Sequence, residues 1–277
     1  MSYRQLERLA DGHIGVIGLG KLGRRIALRL YQEGYPVIGS ARHGMELEGI
    51  ETTTDNSYLA EKSSIIVVAV KQPDFFQVAE EIRAYADGKL LLSAMAAFEL
   101  AGIDNTLPAR NARIMTNLEY ARGNGSSGYC LGSRCTAMDE IAIQEILSAG
   151  GDCYRLREEE MRDMTLDSGC ALGFVAKVTE YFLAASDQLG MLKSLSQKQK
   201  RRIYGRLLIG IGSAMLDGKD PSEIAVSVAS KGGMTEAGYK KMEQWGMREA
   251  ILETYHMALE RERELQELLK GLDKNNG

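Results

Sequence analysis

The 277-residue chain predicts an α/β fold, a Rossmann-type doubly wound parallel sheet followed by a smaller all-α domain. Three observations carry this expectation. Apolar runs of strand length alternate with amphipathic helical patterns up to about residue 160. A glycine-rich turn stands directly behind the first run, and after Glu158 the strand patterns stop and long helical ones take over. The predicted division is therefore 1–160 for a dinucleotide-binding domain and 161–277 for a helical one.

Element by element, Ile14 to Ile17 reads as the first strand, and the stretch Gly15 to Gly23, GVIGLGKLG, runs from it into a helix over Arg24 to Gln32. Strand, GxGxxG turn and helix in that order form the start of a dinucleotide-binding unit. Gly18 permits the tight turn, Gly20 lets a pyrophosphate approach the backbone, and Gly23 lets helix and strand pack closely. The stretch Gly18, Leu19, Gly20, Lys21, Leu22 and Gly23 is the predicted phosphate cradle, with helix N–H groups facing the anion. A second strand, Tyr35 to Ser40, ends in Ser40-Ala41-Arg42-His43. An NAD-selective site usually places a carboxylate there, which would repel a 2′-phosphate, whereas an Arg pairs with one. NADPH is thus expected over NADH, with Ser40 and Arg42 as phosphate contacts and Ala41 between them.

Ser64 to Val70 is a near-continuous apolar run suited to the centre of a parallel sheet. Helices follow over Phe76 to Tyr85 and Ile141 to Ser148, and strands over Lys89 to Ser93 and Arg113 to Met115. Ligands in such sheets sit at the strand C-termini, which here carry Lys71-Gln72-Pro73, Ser93-Ala94-Met95 and Thr116-Asn117. In the second half, helical patterns cover Gly173 to Leu189, Gln197 to Leu216, Pro221 to Ser230 and Thr235 to Leu269. The small-residue and apolar faces of Gly173 to Leu183 and Gly205 to Met215 exceed what so small a unit buries, which points to self-association as a homodimer or larger homo-oligomer. Arg261 to Lys270 reads as a solvated face with a fraying Gly/Asn/Lys tail.

Composition narrows the function classes. Net charge is −4 and 44% of residues are hydrophobic, which argues against a nucleic-acid surface or a polybasic membrane patch. No apolar run reaches the length of a membrane span, and MSYRQLERLADG is charged and lacks an apolar core, so a cytoplasmic location is expected. Cys130, Cys135, Cys153 and Cys170 lack paired metal-ligand spacing, so no metal is expected and structural thiols are favoured over a Cys130–Cys135 redox pair. Of His13, His43 and His256 only His43 falls near the cofactor, at its adenosine end, which argues against a His general base. The methionines read as adaptable packing, with Met115 and Met234 as candidates to border a substrate.

Several motifs in order resemble one family, the pyrroline-5-carboxylate reductases, over nearly the whole chain. GVIGLGKLG resembles the family's FIGxGxMG start, Asp55-Asn56 its adenine-side Asn, Val70-Lys71-Gln72-Pro73 its VKPQ, and Ser93 to Ala97 its SxMAG loop beside the nicotinamide. Ser168-Gly169 with Glu180 resembles the SGSGPAYxxxxxEAL helix, Ser230 to Thr235 the SPGGTT turn, and Trp245 to Ala250 the GFRxAxxEA helix start. The resemblance implies hydride transfer from NAD(P)H to the C=N carbon of a cyclic imino acid, giving proline, at a site completed by a partner subunit's helices. It also implies that Asn56, Val70, Lys71 and Ala96 adjoin the cofactor. On the substrate it places Ser168, Gly169, Ser230, Gly232, Gly233 and Met234, with Thr235 at the imine nitrogen and Asn117 in a catalytic role. The plainer reading of Ser230 and Thr235 is N-capping of the last long helix.

Departures fall where substrate selectivity resides. MPNTP appears as Met115-Thr116-Asn117-Leu118-Glu119, SGSGPAY as Ser168 to Phe174, and the Pro before the double glycine as Lys231. Two other functions therefore remain open. Gly173 to Glu180 resembles the GxxxKxxN helix of the β-hydroxyacid dehydrogenases, in which a desolvated Lys177 would act as general acid for carbonyl reduction. A non-catalytic NADPH-binding paralogue is the other.

Overall fold

The fold is that of a computed structural model in which residues 12–273 are described; the charged N-terminal segment and residues 274–277 lie outside the described residues. An eight-stranded sheet is built from β1 (His13–Ile17), β2 (Val37–Ser40), β3 (Glu51–Thr53), β4 (Ser63–Val68), β5 (Leu90–Ser93), β6 (Arg110–Met115), β7 (Gly125–Leu131) and β8 (Gly151–Arg155). Their spatial order is β3-β2-β1-β4-β5-β6-β7-β8. The pairings are parallel except β6 with β7. The doubly wound expectation therefore describes the molecule, with one antiparallel join near its far edge.

The central strands read as continuous apolar runs because both faces are covered. Ile66 and Val68 pack with Phe75, Val78 and Ile82 of the helix Phe75–Ala86 (α3), while Val67 and Leu92 face a second cluster containing Ile26, Ala27 and Leu30. Those last three lie on one side of α1 (Gly23–Gln32), whose apolar residues fall at helical spacing. Asp55 starts α2 (Asn56–Lys62) by accepting from the Ser57 and Tyr58 N–H groups at 2.9 and 3.1 Å. Thr136 and Asp139 form a capping box on α5 (Ala137–Ser148), and Asp139 also binds Arg110 at 2.9 Å.

In the sheet half, three strands and the helices α2 and α4 (Leu100–Thr106) have no counterpart in the sequence reading. β3 is three polar or β-branched residues, and β7, GSSGYCL, and β8, GDCYR, are rich in residues with weak strand preference. Their pairing is imposed by packing. A Cβ at Gly128 of β7 would stand 2.5 Å from Leu156 Cδ1, and one at Gly150 would stand 1.9 Å from the buried Tyr120 ring.

Beyond the sheet come α6 (Met161–Met164), a π-helical turn over Thr165–Cys170, and α7 (Ala171–Gln188). They are followed by α8 (Gln197–Leu216), α9 (Pro221–Val228), α10 (Met234–Gln244) and α11 (Met247–Asp273). The expected single helix over Thr235 to Leu269 is corrected to two. It breaks at Trp245-Gly246, where Gly246 takes φ +68° and its N–H bonds to Glu243 O, a left-handed helix ending that glycine adopts at little cost. The chain divides into two compact units, one containing the chain through Leu172 and from Glu260 onward, the other Gly173–Leu259. In the first, Arg162 lies 4.0 Å from Glu262 of α11.

Candidate active site

The C-terminal end of β1 carries the glycine turn. Gly18 and Leu19 N–H groups both donate to Ser40 O at 3.0 Å, which locks the turn against the end of β2. Gly18 takes φ +95°, and a Cβ there would lie 2.8 Å from Val70 Cγ1. At Gly23 a Cβ would lie 2.1 Å from Gly18 O, so helix and strand meet there too closely for any side chain. Gly20 differs, because a Cβ on it would meet nothing within 4 Å. The protein itself does not require that glycine; what it leaves is bare backbone facing open space. No side chain caps the start of α1; the Arg24 and Arg25 N–H groups of its first turn donate to Gly20 O and Leu22 O at 3.2 and 2.9 Å. These features fit a dinucleotide pyrophosphate. Lys21 is exposed and Leu22 packs on the core beneath the turn.

At the end of β2 the expectation is partly corrected. Ser40 is 2% exposed, and its hydroxyl donates to Asn56 Oδ1 at 2.5 Å, so it faces inward and holds Asn56 instead of a phosphate. Asn56 Nδ2 in turn donates to Glu81 Oε2 at 2.6 Å. Ala41 N–H bonds to Thr53 O, and Arg42 projects outward to pair with Asp74 at 2.6 Å. Val70 and the exposed Lys71 follow β4, and Gln72 Nε2 donates to Ala96 O at 2.5 Å, joining the loops after β4 and β5. In the second of these loops Ala97 adopts φ +56°, a left-handed conformation rare for a residue with a side chain.

Asn117, expected in a catalytic role, is engaged by hydrogen bonds within the fold. Its Oδ1 accepts from Glu119 N–H at 3.0 Å and caps the 3₁₀ turn Leu118–Arg122, while its Nδ2 donates to Ser168 Oγ at 3.0 Å. Ser168 is itself buried and donates to Ser126 O, so both side chains are held within the fold beside Gly169 of the π turn. Met115 is buried with Cys130 and Met161, against Ala96. The Cys130 thiol donates to Glu158 Oε2 at 2.8 Å and Cys135 to Asn111 O, so neither serves a redox pair. Burial, followed by the Glu158 carboxylate, pushes the Cys130 thiol up to about 12.

In the other unit, the turn before α10 is not capped by Ser230 or Thr235. Gly233 is the N-cap without a side-chain bond, Gly233 N–H donates to Ser230 O, and Gly232 N–H donates to the Glu236 carboxylate. Met234 is 95% exposed, so it does not border a pocket within this unit. Lys177 lies on an exposed face of α7 with Nζ 2.8 Å from Glu180. The hydrogen bond to Glu180 raises its pKa, the reverse of what a desolvated general acid requires. His43 is exposed and His256 lies 3.4 Å from Glu253. Among the described residues no group of His, Cys, Asp and Glu side chains is placed to hold a metal, and no helix is long and apolar enough to cross a membrane.

The sequence matches the family described as pyrroline-5-carboxylate reductase dimerisation over residues 158–265, and that described as NADP oxidoreductase coenzyme F420-dependent over residues 13–97. It is 25% identical over 262 residues to pyrroline-5-carboxylate reductase of Aquifex aeolicus, covering 91% of this chain and 97% of that one. It is 27% identical over 268 residues to the Corynebacterium melassecola enzyme of the same name, covering 91% and 98%. The chain is similar to the pyrroline-5-carboxylate reductases over nearly its whole length, at low identity. The fold agrees with solved structures of pyrroline-5-carboxylate reductases. That of Plasmodium falciparum, with NADP bound, has TM-score 0.85 at 21% identity and covers 93% of this chain and 99% of that one. The Coxiella burnetii structure has TM-score 0.79 at 23% identity, covering 92% and 98%. Where the motif SxMAG ends in glycine, this chain carries Ala97, at φ +56°.

Residues missed in the sequence reading are those that hold others: Asp74, Glu81, Glu158 and Glu236. None stands in a motif quoted above, and Asp74, Glu81 and Glu158 have partners on other elements.

Proposed function

We propose that this chain is an NADPH-dependent imine reductase of the pyrroline-5-carboxylate reductase type, acting in the cytoplasm on a cyclic imino acid. The observation that carries the proposal is the glycine turn, in which Gly18 and Gly23 serve the fold while Gly20 presents open backbone, in a chain similar to these reductases end to end. When bound, the nicotinamide supplies the hydride. The chain's own residues bind and orient: Gly18 to Gly23 hold the pyrophosphate, Arg42 the 2′-phosphate, and Val70, Lys71 and Ala96 border the cofactor. Met115, held in place by its buried neighbours, flanks Ala96. Ser230, Gly232 and Gly233 offer N–H and hydroxyl groups to the substrate carboxylate, and the Thr235 hydroxyl hydrogen-bonds the imine nitrogen. For the carboxylate to bind, Glu236 must release Gly232 N–H.

We assign the cofactor role to residues 1–160 and the dimerisation and substrate role to 161–277, with assembly as a homodimer or a larger ring of dimers. The exposed apolar side chains of α8, among them Leu207, Ile211 and Met215, support that assembly.

The deciding experiment is NADPH oxidation with pyrroline-5-carboxylate, beside other cyclic imines and keto acids. Turnover on the five-membered imino acid, with Thr235→Val lowering kcat/KM by ~10-fold or more through loss of one hydrogen bond at the reacting nitrogen, supports the assignment. Lys177→Ala is expected to leave that turnover nearly unchanged; its abolition would revive carbonyl reduction. One observation favours a second reading, a non-catalytic NADPH-binding paralogue: the chain's own Glu236 already fills the turn meant for the substrate carboxylate. NADPH binding with no turnover across the panel would establish it.

A further inference from the structure

Asp74 stands at the start of α3, where an aspartate commonly accepts from the free N–H groups of the first turn, yet its side chain makes no capping bond. Its carboxylate instead crosses from the loop after β4 to the loop after β2 and pairs with Arg42 at 2.6 Å. The Arg42 side chain is 69% exposed, and Asp74 is its ion-pair partner among the described residues. The guanidinium at the ribose end of the nucleotide site is thus already engaged by an anion.

We propose that Asp74 sets the choice between NADPH and NADH by competing with the 2′-phosphate for Arg42. This rests on the assignment of Arg42 as the 2′-phosphate contact. A phosphate dianion reaching Arg42 must displace the Asp74 carboxylate or share the guanidinium with it, at the cost of repulsion between two anions a few ångströms apart. NADH, which has no phosphate there, leaves the pair intact. Asp74 therefore narrows the NADPH preference that Arg42 alone would give. It supplies, from the wrong strand end, part of the discrimination against phosphate that NAD-selective folds obtain from a carboxylate at the end of their second strand. Sequence position hides it, since Asp74 lies outside the segment where such an acid is sought.

The test is calorimetric dissociation constants of NADPH and NADH, in low salt, for the full-length protein and for Asp74→Asn, Arg42→Ala and the double variant. Asp74→Asn keeps the side chain's shape and is expected to tighten NADPH by about 1.5- to fivefold while leaving NADH unchanged, the range expected for releasing one exposed ion pair. Asp74→Ser should move NADPH in the same direction, and for both variants an unchanged melting temperature shows that the fold is kept. In the Arg42→Ala background the Asp74→Asn effect should shrink towards nothing, because there is no guanidinium left to compete for. An unchanged or weaker NADPH affinity in Asp74→Asn, with Arg42→Ala still losing NADPH, overturns the competition while leaving Arg42 in its role. An equal gain in both backgrounds also overturns it, replacing competition with direct repulsion. No loss of NADPH in Arg42→Ala removes the underlying assignment, a result distinct from either.

Discussion

Two glycines three residues apart carry opposite obligations. Gly23→Ala drives a Cβ to within 2.1 Å of Gly18 O and must push α1 off the sheet, so the variant should lose several kcal/mol or fail to accumulate folded. Gly20→Ala meets no protein atom, so its melting temperature should match the parent while NADPH affinity falls by ~10-fold or more, read by calorimetry. Equal loss of stability in both would mean that the turn is merely structural. Ala97 gives a third case. Holding an alanine in the left-handed region costs about 1–2 kcal/mol, and Ala97→Gly recovers that less about 0.5–1 kcal/mol of added chain entropy. A small gain in denaturant midpoint is the expected outcome, which a loss would contradict. At this scale the sequence was legible where backbone demands glycine or where an ordered motif stands. It was not legible for Ser40 and Asn117, because a polar side chain near a ligand and a polar side chain holding its neighbour are the same letters.

Among the elements, β6, β7 and the start of α4 are fastened by one carboxylate. Glu158 pairs with Arg113 at 2.5 Å, accepts the Cys130 thiol, and accepts Leu100 N–H at 3.1 Å. Burial pushes its pKa up, but the Cys130 hydrogen bond and the Arg113 charge outweigh that and hold it below the ordinary carboxylate value. The sign follows directly. A depressed folded-state pKa contributes stability that is present above the unfolded value, about 4.3, and is lost as pH falls through the folded one. Glu158→Gln should therefore lower the melting temperature near neutrality and flatten its decline on acidification; a parallel curve would remove Glu158 from the acid limb. The central strands and α1 were legible because burial on both sheet faces leaves continuous apolar runs. β7 and β8 were not, because Gly125 and Gly128 are required by the close approach of Tyr120 and Leu156, and Gly151 by that of Gly125, none of which a local pattern records. The break at Gly246 carried a signal, a glycine inside a helical pattern, that the surrounding periodicity overrode.

For the molecule as a whole, the apolar side chains of α8 imply burial by a second copy. Ile211→Glu combined with Leu207→Glu should convert the assembly to monomers in size-exclusion chromatography with light scattering, and should abolish turnover if the active site needs a partner's residues. Activity retained by a monomer would show that each chain is self-sufficient. The domain order and the helical half were visible from residue patterns, whereas the strand order was not, since pairing between strands distant in sequence leaves no local mark.

That strand order also governs how the chain reaches its native state. From β4 to β8 each strand lies beside the one that follows it, so the sheet grows by closing short segments in turn. β1 is different: it sits between β2 and β4, and its register matches Ile14 with Ile65, so the intervening chain must close before β1 is paired on both sides. Closing a longer loop costs more entropy before any contact rewards it, which makes β1–β4 docking the natural slow step of refolding. In a chain made from its N-terminus, the strand that carries the glycine turn is synthesised first but is paired on both sides only once β4 has emerged, so nucleotide affinity should not appear before then.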